Sequence, residues 1–331
     1  MATFDQRDNV NSAFLHWLFD SGADAGLDTN PLETQVLDAL RAILNSQQSG
    51  AALVRRLPGL IPQLLQSLRS DTFSGAQLSR TISSDVVLVA AVVRLANSSC
   101  KGSGKQINSV EHAVMLIGQE GLRHLITSVA FRPIIDLNSG HYTRTLAPRI
   151  WDQSERCAVA NRMLAESMGI DPFEAFLAGL VQNVGLIVTL RIMDQMARDA
   201  AASGVNAAGA DQLLGSELFC ARLVSDARAL TCSIGREWHF PDSVVTAIAE
   251  QAGTRKGVTL SPLGRLLSLS DYLSRTRILV DAERLGKADP SLFKGLPPYA
   301  LECYRALDAQ VDADPDPAAM PDAPAASEAA P

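Results

Sequence analysis

The sequence predicts an all-α protein, and three observations carry that expectation. Apolar residues recur at three- and four-residue intervals through most of the chain, with almost no period-two alternation bounded by turn residues. Helix-start signals precede several of these runs, among them Asn30-Pro31, Asp85, Ser109 and Asp171-Pro172. Aromatics are only 5 % of the 331 residues, so the 47 % hydrophobic share is mostly Ala, Leu, Val and Ile, a palette suited to close helix packing.

Taken in order, Phe14, Leu15, Trp17, Leu18 and Phe19 form an apolar cluster in a helical lead-in, which SGADAGLDTN interrupts. Asn30 caps the next helix and Pro31 takes its first position, with Leu32, Val36, Leu37, Leu40 and Ile43 at helical spacing. The cluster is expected to pack on the chain's own body rather than to dock a partner. Leu60, Leu64, Leu65 and Leu68 mark a helix entered through Pro58, and Leu78 and Ile82 a short one. Asp85 caps a strongly apolar helix over Val86 to Ala96, which ends at Asn97-Ser98. Ser109 caps the helix of Ala113, Val114, Leu116 and Ile117, and Gly118 breaks the pattern before Leu122 and Leu125. Trp151 begins a run reaching Met168. Asp171-Pro172 opens another through Phe176, Leu177 and Leu180 toward Gly185, and Leu186 to Met196 continues it. Leu213 to Trp238, a helix from Pro241, and Leu260 to Leu279 complete the set. After Gln310 the chain turns to Ala, Pro and Asp and is expected to be disordered, because it cannot bury enough apolar surface to offset ordering entropy.

The net charge of −7 is concentrated in that tail, which holds Asp312, Asp314, Asp316, Asp322 and Glu328 and no base, leaving a formal −2 on the body. A nearly neutral body lacks the Lys/Arg excess of a phosphate-backbone binder, so no nucleic-acid partner is expected. The apolar stretches read as shorter than the ~18 to 20 residues that span a bilayer. The start, MATFDQRDNV, lacks a basic n-region and apolar run, so neither a membrane nor a secretory route is expected. Cys100, Cys157, Cys220, Cys232 and Cys303 are scattered without a CxxC pair, as in a reduced cytoplasmic protein with structural thiols.

No catalytic motif emerges. The loop Gly102-Ser103-Gly104-Lys105 has Ser99 and Gln106 where a Walker A loop needs Gly and Ser/Thr. Ala113 to Leu125 has a helix-turn-helix-like glycine but offers only Arg123 and His124 amid apolar residues. His16, His112, His124, His141 and His239 form no HxxxH or His-Asp pair, and no GxSxG elbow occurs. No cofactor and no metal are expected.

The order of certain segments resembles the HDOD family, the bacterial HD-related output domains. They are LPGLIPQLL (57–65), ISSDVVLVAAVVRLANSS (82–99), INSVEHAVMLIGQEGLRHL (107–125), Trp151-Asp152-Gln153-Ser154, FEAFLAGLVQNVG (173–185) and REWHFP (236–241). The resemblance implies an all-α fold of two packed helical subdomains, about 50–135 and an HD-like one at about 145–255. The layout then reads as an N-terminal helical extension (1–48), the HDOD domain (49–256), a C-terminal helical extension packed on it (257–310) and the tail (311–331).

The family is related to metal-dependent HD phosphohydrolases, whose segment matching Leu180 onward continues Leu-His-Asp-Ile-Gly. Here Gln182 and Asn183 stand where His and Asp would be, Gln153 matches the histidine after the tryptophan, and the late His-His pair falls near Glu250-Gln251. Amides keep shape and hydrogen bonding but provide neither an imidazole lone pair nor a carboxylate charge, so a vestigial pocket of Trp151, Gln153, Gln182, Asn183, Glu250 and Gln251 is expected to hold an amide network. The resemblance implies a non-catalytic signalling protein that contacts unidentified signalling proteins across its two subdomains, with input from a separate partner or a ligand. Two alternatives stay open. One is a residual phosphohydrolase drawing ligands from His141, Asp152 or Glu250; the other is a nucleotide-binding sensor using the old pocket.

Overall fold

Side-chain caps set most helix starts in the computed structural model, whose described residues are 2–21, 26–46, 121, 123–124, 127–128, 131, 140–202, 214–252, 259–286 and 289–307. Thr3 opens α1 (Phe4–Leu18) and Asn30 opens α2 (Pro31–Asn45), each with a reciprocal capping box. Then follow α3 (His141–Ala165), a 3₁₀ turn (Glu166–Met168), and α4 (Pro172–Val181), capped by Asp171 as the Asp-Pro pair predicts. The order continues with α5 (Val184–Ala202), α6 (Glu217–Glu237, capped by Ser216), α7 (Asp242–Ala252) and α8 (Pro262–Asp281, capped by Ser261). A second 3₁₀ turn (Pro290–Phe293) and α9 (Pro298–Ala306) close the set. No strand occurs among the described residues. Most of 50–135, the Gly102–Lys105 loop, His112 and the acidic tail lie outside them.

Two boundaries differ from the sequence reading. Helix α3 starts ten residues before Trp151 and runs through Pro148. Its first turn is capped from α5: the Asp194 carboxylate accepts from the backbone N–H groups of Tyr142 (2.8 Å) and Thr143 (3.1 Å). A cap supplied from some fifty residues away leaves no local signal. The run from Pro172 toward Met196 is also not continuous. It breaks at Gln182-Asn183, between α4 and α5.

Helix α8 forms the centre of the packing, against α1, α3, α4, α7 and α9, while α6 packs on α2, α5 and α7. Residues Leu263 to Val280 are buried all round the α8 axis with the exception of Arg265, which explains why the helix has little apolar periodicity. The described residues of 121–131 lie on the same body: His124 meets Phe176 edge-on at 4.7 Å, and Phe131 packs beside Trp238 and Phe240. Contrary to the sequence expectation, Pro172–Ala202 is long and apolar enough by composition to cross a membrane. However, 89 % of its most apolar window is buried inside the protein, so that apolarity serves the core. The four described cysteines, Cys157, Cys220, Cys232 and Cys303, are free and buried. Burial raises all four thiols, Cys220 and Cys303 to about 12 and Cys157 well above its ordinary value, which keeps them protonated and unreactive.

The lead-in helices are fastened by one carboxylate. Glu33 is fully buried in the first turn of α2 and accepts from Gly215 N (2.7 Å), Ser216 N (2.9 Å) and the Ser216 hydroxyl (2.7 Å), as well as from Asn30 N. It thereby serves two helix N-termini at once, where negative charge is favoured. Glu33→Ala orphans these donors and is expected to lower stability by about 2 kcal/mol in urea unfolding. A change under about 0.5 kcal/mol would show that α2 is only loosely fastened to α6.

Candidate functional site: a buried amide and arginine network

Gln153 projects from the middle of α3, and the break between α4 and α5 turns Gln182 and Asn183 toward it. Asn183 Nδ2 donates to Gln153 Oε1 and to Ser154 Oγ, the latter at 3.0 Å. Gln153 Nε2 donates to Asp271 Oδ1 (2.8 Å) and Ser274 Oγ (3.0 Å), and Gln182 Nε2 donates to the same Asp271 oxygen at 3.2 Å. Facing a carboxylate fixes the orientation of both amides, because an oxygen turned to Asp271 would be repelled. The outer Gln182 Oε1 is buried with no protein partner.

Arginines complete the network. Arg275, one turn beyond Asp271 on α8, donates Nε to Asp271 Oδ1 at 3.1 Å, and its guanidinium lies 4.8 Å from the Phe14 ring centre. Arg228 of α6 places Nη2 3.7 Å from Asp271 Oδ2, an ion pair too long for a hydrogen bond, and donates Nη1 to the Gln251 carbonyl at 2.8 Å. Burial lowers the Arg228 pKa to about 10, with Asp271 opposing the shift, so the group stays charged at neutral pH. Thr231 ties the α4–α5 break to α6, accepting from Gly185 N (2.9 Å) and donating to the Gln182 carbonyl (3.2 Å).

The structure thus gathers Gln153, Gln182 and Asn183 directly, and joins Gln251 through Arg228. The Gln251 side chain donates to the carbonyls of Ala247 and Gly264. Trp151 is buried two residues before Gln153, with its indole N–H lacking a protein partner. Glu250 is not in the network. Its carboxylate accepts from Ser261 N and Ser261 Oγ at the start of α8. Asp152 is half-exposed and paired with Arg156, and His141 is exposed at the start of α3, so these two do not converge with Glu250. Among the described residues no three His, Cys, Asp or Glu side chains gather as metal ligands.

Sequence reasoning missed Asp271, Ser274, Arg275 and Arg228. The signal was in SDYLSRTR (270–277): an acid and a base four apart within a stretch read only for its leucines.

A family model for the HDOD domain matches residues 54–253. Among solved structures, the chain is similar to a protein of Shewanella amazonensis provisionally named a phosphohydrolase: TM-score 0.57, 20 % identity, 86 % of this chain and 95 % of that one covered. An HDOD domain protein of unknown function from Geobacter sulfurreducens gives TM-score 0.53 at 18 % identity, covering 84 % and 98 %. A protein of Marinobacter aquaeolei provisionally named a signal transduction protein gives 0.58 at 19 %, covering 88 % and 66 %. At these identities the likeness speaks to fold. An uncharacterised protein of Treponema pallidum (strain Nichols) is 23 % identical over 137 residues, a match spanning 41 % of this chain and 26 % of that protein.

Proposed function

The chain belongs to the HDOD family, and from that premise we propose that it is a non-catalytic regulatory protein of bacterial signal transduction, acting in the cytoplasm through contacts with signalling proteins. One observation carries the non-catalytic part. The single carboxylate of the network, Asp271, already meets Gln153, Gln182, Arg275 and Arg228, and its neighbours offer amide nitrogens and guanidinium groups where a divalent ion needs anionic or lone-pair donors. These donors do not fit the metal pair of a phosphohydrolase. The cationic charge that Asp271 requires comes from arginine, which has no vacant coordination position from which to activate a water. The near-neutral body supports a protein partner over nucleic acid or a membrane surface.

Elemental mass spectrometry of untagged protein purified without chelator, paired with hydrolysis of bis-p-nitrophenyl phosphate in added Mn²⁺, tests this reading. The expected result is below about a tenth of an equivalent of Fe, Mn, Zn, Ni or Co and no turnover above the metal-only blank. One or two equivalents of metal together with turnover would overturn it.

A further inference from the structure

A cavity of about 80 Å³ lies between the first turns of α1 and the core helices, with Arg7, Asp8 and Asn11 on the α1 side and Arg228, Gln251 and Ser268 opposite, over Asp271 and Tyr272. At roughly 15 Å³ of cavity space per water, it has room for about five water-sized groups, the size of a tetrahedral oxoanion with residual solvent. Its mouth is beside Asp8, which is exposed.

Among the described residues, the charges around it do not balance. Arg7 and Arg228 face the cavity and Arg275 stands behind Asp271, the one buried acid among them. Asp271 offsets one of these three cations, and its Oδ1 already accepts from three donors. Asp8 lies in solvent at the rim, where its field is screened. Among the described residues an excess of two positive charges, with Arg7 half-buried and Arg228 buried, therefore remains over a small polar space. Donors remain too: Arg7 Nη1 donates to Ser268 Oγ, but its buried Nε has no acceptor within the protein, and Arg228 reaches Asp271 only at ion-pair distance. Partial burial lowers the pKa of Arg7, with Asp271 opposing.

We propose that this cavity is a binding site for a phosphoryl dianion, clamped between Arg7 of α1 and Arg228 of α6. The fork of a guanidinium matches tetrahedral phosphate oxygens, and an excess of two positive charges matches a dianion better than a carboxylate. The two clamping residues come from different parts of the molecule. An anion between them therefore fastens α1 to the core, and occupancy is reported in how firmly α1 is docked. The dianion is either free phosphate or the phosphate of a nucleotide whose remainder leaves through the mouth at Asp8. This rests on the reading that the pocket does not hydrolyse phosphoesters.

The test is thermal shift and calorimetry on the full chain with potassium phosphate, with AMP, and with potassium chloride at matched ionic strength. Phosphate at ten times its Kd is expected to raise Tm by about 2–4 °C over chloride. Arg7→Gln, on the half-exposed face of α1, is expected to weaken binding at least about tenfold while leaving the unliganded fold intact by circular dichroism. Arg228→Met is expected to weaken it further, and Arg7→Gln decides the matter if Arg228→Met does not fold. AMP tighter than phosphate assigns the site to a nucleotide; equal affinities assign it to the free anion. No shift beyond chloride for either probe, or wild-type affinity in Arg7→Gln, overturns the proposal. Release of phosphate from AMP would instead overturn the non-hydrolytic reading, leaving the inorganic-phosphate arm as the measure of binding.

Discussion

Asp271→Ala is expected to destabilise the protein by about 3–5 kcal/mol, the largest loss of any single change in the network. Asp271 is 5 % exposed, and its carboxylate is the common acceptor for Gln153, Gln182 and Arg275 and the counter-charge of Arg228. Its removal leaves two guanidinium groups buried without a counter-charge and Gln182 Nε2 without its acceptor, while Gln153 Nε2 keeps only Ser274 Oγ. The cost arises from what is stranded rather than from the strength of the pair itself. Asp271→Asn keeps an acceptor oxygen near the two amides and loses only the charge, so about half that loss is expected. Urea unfolding of both variants, with m-values compared, checks this. A loss below about 1 kcal/mol for Asp271→Ala would mean that water enters and solvates the arginines.

Gly185→Ala is expected to cost about 3 kcal/mol, for a reason unrelated to charge. A Cβ on Gly185 would lie 1.9 Å from the Ala227 carbonyl oxygen and 2.9 Å from both Ala227 C and Thr231 N. All three are backbone atoms of α6, so no side chain can rotate aside and the helices must separate. That separation also breaks the bond from Gly185 N to Thr231 Oγ1, beside the turn that presents Gln182 and Asn183. Gly286→Ala is the control: it meets open space without a left-handed backbone, and a change within about 0.5 kcal/mol is expected. Equal effects at the two positions would mean that the α5–α6 contact is looser than the backbone distances imply.

Gly185 shows how far the sequence could be read. Gly179 and Gly185 both lie in FEAFLAGLVQNVG (173–185), a segment that carries the family resemblance, but nothing local explained their spacing. The crossing of α5 over α6, and of α4 over α3 where Gly179 lies against the Ala158 backbone, supplies the reason. Gln153, Gln182 and Asn183 were legible in the same way. Polar amides in apolar helices need partners, and the sequence already held three such amides in segments expected to meet. Asp271 left only its four-residue spacing from Arg275 to read, because α8 is buried on all sides and so shows no polar face from which to infer a core face.

What the sequence determined by itself is the local part: helical class, the capped starts of α2 and α4 at Asn30-Pro31 and Asp171-Pro172, and the family to which the chain belongs. These depend on neighbours within a turn or two, where propensity and cap chemistry act. The tertiary structure alone decided the early start of α3, capped by Asp194, and the burial of Glu33 between two helix N-termini. It also decided that Asp271 and two arginines occupy the centre of the amide network. Each of these joins residues far apart in the chain through a buried charge, and a buried charge is tolerable only beside partners that the fold, not the local sequence, brings to it.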